Sequence, residues 1–150
     1  MDLRSYLDQS GVKYQWLHHD MAYTAQELAQ REHTSGRKVI KPVLVEADGK
    51  HLLCALPAAY QVDLERVRQQ VNASEAKLAD EQTMQQVFKD CDIGAEPPIG
   101  GMFGLPTLLD ESIEAQDEVT FQAGTHQDAV RMSVDDYMRV AHPQVASFRR

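Results

Sequence analysis

Apolar positions along the chain change their period several times, and each change marks an element. Leu3, Tyr6 and Leu7 fall on one helical face, so the spacing predicts a short helix over 2–10, stopped by Gly11. Tyr14 to His18 reads as a strand. Thr24-Ala25-Gln26-Glu27 is a capping-box pattern that opens a helix with Ala25, Leu28 and Ala29 facing inward. A polar loop follows from Arg31 to Arg37. Val39 to Ala47 is the strongest strand signal, and it runs through Asp48-Gly49 into His51 to Leu56, a hairpin pattern. Leu64, Val67 and Val71 predict a helix from Asp63. Met84, Val87 and Phe88 predict another from about Asp80, with a short strand at Ala76 to Ala79 between them.

The stretch from Cys91 to Pro106 is dense in Gly and Pro and cannot form one long regular element. Beyond it, Leu105 to Leu109, Val119 to Ala123 and Ala129 to Met132 read as strands, the last two joined around Gly124-Thr125-His126. Ser133-Val134-Asp135-Asp136 is a second capping box, opening a helix with Val134, Tyr137, Met138 and Ala141 inward and stopped by Pro143. Strands and helices interleave without a linker, a repeat or a low-complexity tract. The pattern therefore predicts one α+β domain over residues 1–150. Its sheet would be mixed and mostly antiparallel, with surrounding helices, and a barrel-like closure is one arrangement it permits.

Composition narrows the class. At 150 residues, 43% hydrophobic and 25% charged, the chain is long enough to bury a core without disulfide staples. No apolar run reaches the roughly 18 residues of a membrane span, and the first eight residues lack the pattern of a signal peptide. Cys54 and Cys91 form no CxxC pair, and the expectation is two reduced thiols in a cytoplasmic protein. The net charge of −8 argues against a protein that coats long stretches of nucleic-acid backbone. The charge is uneven, however. Residues 72–120 hold eleven acidic and two basic side chains, whereas 31–50 hold five basic (Arg31, Arg37, Lys38, Lys41, Lys50) and three acidic. A small basic segment in an acidic body suits a local contact with an anion.

Lys41 is the most informative residue. It shares a strand face with Val39, Val43 and Val45, while Ile40, Pro42 and Leu44 share the other, so both faces are largely apolar. A lysine there must snorkel at an edge, find a partner or line a cavity, because an unpaired buried ammonium is costly. The loop Gly94-Ala95-Glu96-Pro97-Pro98-Ile99-Gly100-Gly101 can bring backbone close to a ligand in a fixed shape, or can simply join helix to strand. The six histidines make neither HExxH nor a zinc-finger spacing, and no GxSxG, P-loop or GxGxxG occurs.

Together these pieces resemble the YbaK / prolyl-tRNA synthetase-associated domain family. His19 after the first strand, Thr24-Ala25-x-x-Leu28-Ala29, and the lysine within Val39-Ile40-Lys41-Pro42-Val43-Leu44-Val45 carry the likeness, in that order. Gly94-x-x-x-Pro98-x-Gly100 is similar to the family's GxxxP loop, and Gly124-Thr125-His126 through Met132 to its closing strands. The resemblance implies a cytoplasmic aminoacyl-tRNA deacylase that hydrolyses the ester of a mischarged tRNA in trans. The substrate would be tRNA(Pro) carrying a small amino acid such as alanine or cysteine. It assigns Lys41 as the essential catalytic lysine at the tRNA 3′ end. Gly94, Pro98, Gly100, His19 and His126 would form the substrate-binding set. No metal or other cofactor is implied. Family members commonly carry Thr after the lysine and a Gly-rich loop, where this chain has Pro42 and Ala95-Glu96-Pro97.

An aminoacyl ester is already activated, so its hydrolysis needs a placed water and a stabilised oxyanion more than a strong nucleophile. The implied partner is the acceptor end of a mischarged tRNA, with a synthetase or elongation factor to present it, and neither membrane nor DNA. Outside the basic segment, the charge predicts weak tRNA affinity and strong salt dependence. Two other readings fit the same residues: a non-catalytic tRNA- or synthetase-binding module, and a hydrolase of some smaller acyl ester. Ile99, Met102 and His126 are candidates for the pocket wall opposite Lys41.

Overall fold

The computed structural model of the chain describes residues 2–150. Its elements run α1 (Leu3–Gln9), β1 (Gln15–His18), α2 (Ala25–Arg31), β2 (Ile40–Ala47), β3 (Lys50–Pro57), α3 (Leu64–Gln70), β4 (Ala76–Leu78) and α4 (Glu81–Val87). Then come β5 (Thr107–Asp110), β6 (Glu118–Gln122), β7 (Asp128–Ser133), α5 (Val134–Ala141) and β8 (Gln144–Ala146), with 3-10 turns at Gly100–Phe103 and Glu111–Ala115. The capping residues act as their positions suggest. Thr24 accepts from the Glu27 N–H at 3.0 Å, and Glu27 reaches back to the N–H of Tyr23, one residue outside the cap. Ser133 accepts from the Asp136 N–H, but Asp136 turns instead to Lys13 and Arg139.

The strands form two sheets. One has the order β1-β7-β6 and is antiparallel throughout; the other has the order β4-β2-β3-β5-β8. Four of the six strand pairings are antiparallel, and the two parallel ones join β5 to β3 and to β8. The sheets meet at a parallel bridge between Val39 and Thr120, where the Thr120 N–H donates to the Lys38 carbonyl at 2.9 Å. Among the described residues they do not close into a barrel. The α+β class and the mostly antiparallel mixed sheet thus match the sequence pattern. The β2–β3 turn is the expected two-residue one, with Asp48 and Gly49 both at positive φ (51° and 81°). β8 and its parallel pairing lie beyond the elements that pattern predicted.

Alternation along β2 and β3 divides the core. Ile40, Leu44, Leu53 and Ala55 face a cluster closed by α1, α4 and α5 through residues such as Leu7, Phe88 and Tyr137. Val45, Leu52, Cys54 and Leu56 face a second cluster under α3, with Val67 and Phe148. The five-stranded sheet is therefore covered on both sides, as the two apolar faces of β2 require. A third, smaller cluster packs Leu28 and Ala29 of α2 over Val39 and Ala129. Among the described residues, no helix is long and apolar enough to cross a membrane.

Candidate functional site

Lys41 lies where the edge of β2 is open. β4 covers that edge only from Val45 to Ala47, and β6 touches it only at Val39. The Leu44 carbonyl accepts from the Ala79 N–H on this side, so by the alternation of an antiparallel strand the carbonyls of Ile40 and Pro42 lie along the same edge. Pro42 therefore occupies a position where a missing N–H forfeits no ladder bond. Facing the gap is a cavity of about 210 Å³. Its walls are Tyr23, Thr24 and Ala25 at the start of α2, Ile40 to Pro42 of β2, Met84 of α4, Gly94 and Glu96 of the loop, and Gln122 at the end of β6.

The Lys41 side chain is half-buried and forms no ion pair with any described residue. Burial holds its ammonium below the ordinary lysine range, because taking the charge out of water disfavours it. The lysine also borders a wider groove of about 520 Å³ on the other side of the strand. That groove is lined by Val43, Val62, Leu64 and Leu78 together with Gln61, Asp63, Glu65 and Arg150. Lys41 thus stands between a small chamber and a wider groove. The opening beside the Asp48–Gly49 hairpin, of about 560 Å³, holds none of the motif residues.

Gly94 enters the cavity with φ +87°, a conformation that favours glycine. A Cβ there would lie 3.2 Å from the Tyr23 carbonyl oxygen and 3.8 Å from His126 Cε1. From Ala95 to Gly100 the loop is buried. Most of its N–H groups are already engaged. Gly94 donates to Glu96 Oε1 at 2.9 Å, Ala95 to the Asp92 carbonyl, Ile99 to the Pro97 carbonyl and Gly100 to Thr107 Oγ1. Pro97 and Pro98 have no N–H to give, so from Gly94 to Gly100 only the Glu96 N–H lacks a protein acceptor among the described residues. The loop is buried and internally hydrogen-bonded, and it offers a ligand few donors.

The remaining motif residues fall into two groups. His126 abuts the site: its Nδ1 meets the Ala22 carbonyl at 3.3 Å, its ring packs on Tyr23 at 4.9 Å between centroids, and its backbone carbonyl accepts from the Ala22 N–H. Pro98 and Gly100 sit behind the cavity. The Pro98 carbonyl accepts from Tyr137 Oη at 2.6 Å in the core, and a Cβ on Gly100 would lie 2.6 Å from both the Leu105 carbonyl and Thr107 Oγ1. His19 follows β1 at the joint to Gln127, outside the cavity wall, with Nδ1 on the Asp20 carbonyl and a buried Nε2 that has no partner among the described residues. Ile99 is fully buried in the core and Met102 lines another opening, so neither forms the wall opposite Lys41. That wall consists of Met84, Glu96 and Gln122. Among the described residues, no three His, Cys, Asp or Glu side chains converge as metal ligands would.

Two buried polar side chains complete the chamber. Gln122 is 4% exposed and donates from Nε2 to the Ala22 carbonyl at 2.6 Å, which leaves its carbonyl oxygen as an acceptor. Glu96 is likewise 4% exposed, and Gly94 is its one hydrogen-bond donor among the described residues. Neither residue stands out in the sequence, where each reads as an ordinary polar position next to a turn. The one available signal is a charged residue set between Ala95 and two prolines, in a loop too short to expose every side chain.

A family model of the aminoacyl-tRNA editing domain matches residues 19–140, which span both the Lys41 strand and the Gly94 loop. The multifunctional Ser/Thr-tRNA deacylase ProXp-y of Escherichia coli K12 is 26% identical over 149 residues, covering 96% of this chain and 89% of that protein. In fold, the chain is similar to the crystal structure of a candidate trans-editing enzyme for prolyl tRNA synthetase. The TM-score is 0.84 at 22% identity, over 99% of this chain and 94% of that one. The crystal structure of the hypothetical protein APE2540 superposes with a TM-score of 0.90 at 14% identity, over 99% of both chains.

Proposed function

The chain belongs to the aminoacyl-tRNA editing domain family, and from that premise we propose that it is a trans-acting hydrolase of mischarged tRNA whose central residue is Lys41. The observation that carries this reading is a half-buried ammonium without a carboxylate partner, set between a small chamber and a wider groove. An aminoacyl-tRNA 3′ end has the same two-part form: a small amino acid on one side of the ester and a nucleoside on the other. With the amino acid in the 210 Å³ chamber and the terminal nucleoside in the groove against Val43, Val62, Leu64 and Leu78, the ester would lie beside Lys41.

There the ammonium stabilises the negative charge that develops as water attacks the ester carbonyl, or holds the adjacent 3′-end oxygens in place. In a half-buried setting such a charge acts more strongly than in water. The loop keeps most of its N–H groups for itself, so Lys41 carries more of this task than a wall of backbone donors would. His126 and Gly94 hold the mouth of the chamber in shape against Tyr23.

Chamber size selects a small side chain. Alanine or cysteine on tRNA(Pro) fits the family resemblance, and serine or threonine fits the activity of the E. coli relative. A hydroxyl added to a small side chain is poorly rejected by a partly apolar wall such as Ile40 and Met84, so overlap among these four substrates follows. The first test is deacylation of Ala-tRNA(Pro), Cys-tRNA(Pro), Ser-tRNA and Thr-tRNA by wild type and Lys41→Ala at catalytic protein concentration. The expected outcome is turnover of at least one substrate, a fall in kcat of at least about a hundredfold in the variant, and unchanged circular dichroism. Full activity in Lys41→Ala would refute the site. Tight tRNA binding without turnover would favour a binding module.

A further inference from the structure

A buried carboxylate without a cation is the least expected feature of the chamber. Glu96 is 4% exposed, accepts from the Gly94 N–H at 2.9 Å through Oε1, and makes no ion pair with any described residue. Burying an ionised carboxylate is costly unless a charge or several donors meet it. The surrounding groups do not supply one. Lys41 is on the facing strand but is unpaired, and the Cys91 thiol, pushed up to about 11 by burial and by neighbouring carboxylates including Glu96, stays neutral. Lys89 borders a shallow hollow of about 110 Å³ that Glu96 also touches, outside ion-pair reach. Within the chamber the Gln122 side-chain carbonyl, whose NH₂ is tied to Ala22, and the carbonyls along the open edge at Ile40 and Pro42 are further acceptors, while the free donors include the Lys41 ammonium and the Glu96 N–H. The wall of Glu96 and Gln122 therefore suits a ligand that brings a positive charge and N–H groups, with the Lys41 ammonium left for the ester.

We propose that Glu96 binds the α-ammonium group of the aminoacyl ester and so restricts the enzyme to esters with a free amine, excluding N-acylated and peptidyl ones. This rests on the reading of the chain as an aminoacyl-tRNA hydrolase. The ammonium is one carbon away from the ester carbonyl, so anchoring it at Glu96 also fixes where that carbonyl sits relative to Lys41. Any acyl ester has a carbonyl, but only an unblocked aminoacyl ester has a cation beside it. Glu96 is thus the residue that tells the two apart, whatever the amino acid side chain.

The Gly94 contact dictates the choice of variant. Glu96→Gln keeps an oxygen to accept from the Gly94 N–H and keeps the loop's shape, but removes the charge. Wild type, Glu96→Gln and, as a control outside the chamber, Lys89→Ala are assayed on one aminoacyl-tRNA and on its N-acetylated form. Wild type and Lys89→Ala should prefer the free amine by about a hundredfold in kcat/KM, the scale of one lost hydrogen bond to a charged group. Glu96→Gln should lose most of that preference by slowing on the free amine while its rate on the acetylated substrate holds. Equal rates of wild type on both substrates, or an undiminished preference in Glu96→Gln, would overturn the proposal. A second readout is independent of hydrolysis: binding of 3′-alanylamino-3′-deoxyadenosine, whose amide resists cleavage, against its N-acetyl form. Tighter binding of the free amine by wild type but not by Glu96→Gln supports the role of Glu96 even if no tRNA ester is turned over, in which case the hydrolase reading alone falls. Equal binding of the two forms by wild type overturns the ammonium site itself.

Discussion

At the scale of single residues, the site depends on conformations and burial that only a few residue types tolerate. Gly94 shows this most directly. At φ +87°, an alanine would be strained, at a typical cost of about 1–2 kcal/mol, and its methyl would press on the Tyr23 carbonyl at 3.2 Å. The Tyr23 carbonyl cannot retreat freely, because the adjacent Tyr23 N–H is held by Glu27 and Ala22 is held by His126. Gly94→Ala is therefore expected to narrow the chamber mouth and lower kcat/KM by about tenfold, equivalent to roughly 1.4 kcal/mol of transition-state binding. Gly104→Ala separates strain from crowding: that glycine also has positive φ (70°), but nothing lies within 4 Å of the added methyl. Parallel thermal melts and deacylation kinetics should show both variants destabilised and only Gly94→Ala impaired in rate. Equal losses of activity would remove Gly94 from the site.

At the scale of elements, one carboxylate ties down the segment that follows β8. Asp110, at the end of β5, is fully buried. Its Oδ1 accepts from the N–H groups of Phe148 and Arg149, at 3.0 and 3.1 Å, and its Oδ2 from Ser112 Oγ at 2.6 Å and Arg149 Nη1 at 3.2 Å. Burial alone would raise this carboxyl, but the hydrogen bonds from Ser112 and Phe148 and the charge of Arg149 outweigh it and hold the group below the ordinary aspartate value. Because the folded value is the lower one, its stabilisation is complete above the unfolded value and is lost as pH falls through the folded one. Asp110→Asn offers one acceptor oxygen where two are used, so a loss of about 2–3 kcal/mol at pH 7 is expected. The gap between variant and wild type should shrink below about pH 4, since protonation removes the same charge from wild type. Denaturant melts at pH 7 and pH 3 test this; a pH-independent gap would show that shape rather than charge is lost.

Elements also show how far the sequence is legible. Every helix and most strands follow from period and capping, since those signals are local. β8 does not, because Gln144-Val145-Ala146 is three residues long after a proline and is a strand only through parallel pairing with β5. Lys41 is legible because a cation inside two apolar faces is anomalous wherever the strand lies. Its neighbours in the chamber are not: Met84, Glu96 and Gln122 come from three separate segments, and only the packing of α4, the loop and β6 brings them together. The engagement of the loop N–H groups is equally hidden, since Gly and Pro announce rigidity without saying which donors remain free.

At the scale of the whole molecule, a net charge of −8 must still admit a polyanion. The basic segment before and within β2 faces this task with few free cations. Lys38 is paired with Asp117 at 3.4 Å, and Arg31 turns its Nε to the Met21 carbonyl. Arg37 is exposed and unpaired among the described residues, three residues before β2 and four before Lys41. At about 0.7–0.9 per phosphate contacted, two or three contacts give a slope of about −2 in log binding constant against log salt. The acidic remainder of the surface would repel the body of a tRNA, which on the proposed reading confines the contact to the acceptor end. Charge reversal tests this without touching the chamber. Arg37→Glu should raise KM several-fold, leave kcat unchanged and flatten the salt slope by about one. Deacylation measured across a range of salt, with KM and kcat resolved, provides the readout. A slope near −5 in wild type, or an Arg37→Glu variant that loses kcat instead of KM, would mean that the tRNA lies across a different face from the one that opens at Lys41.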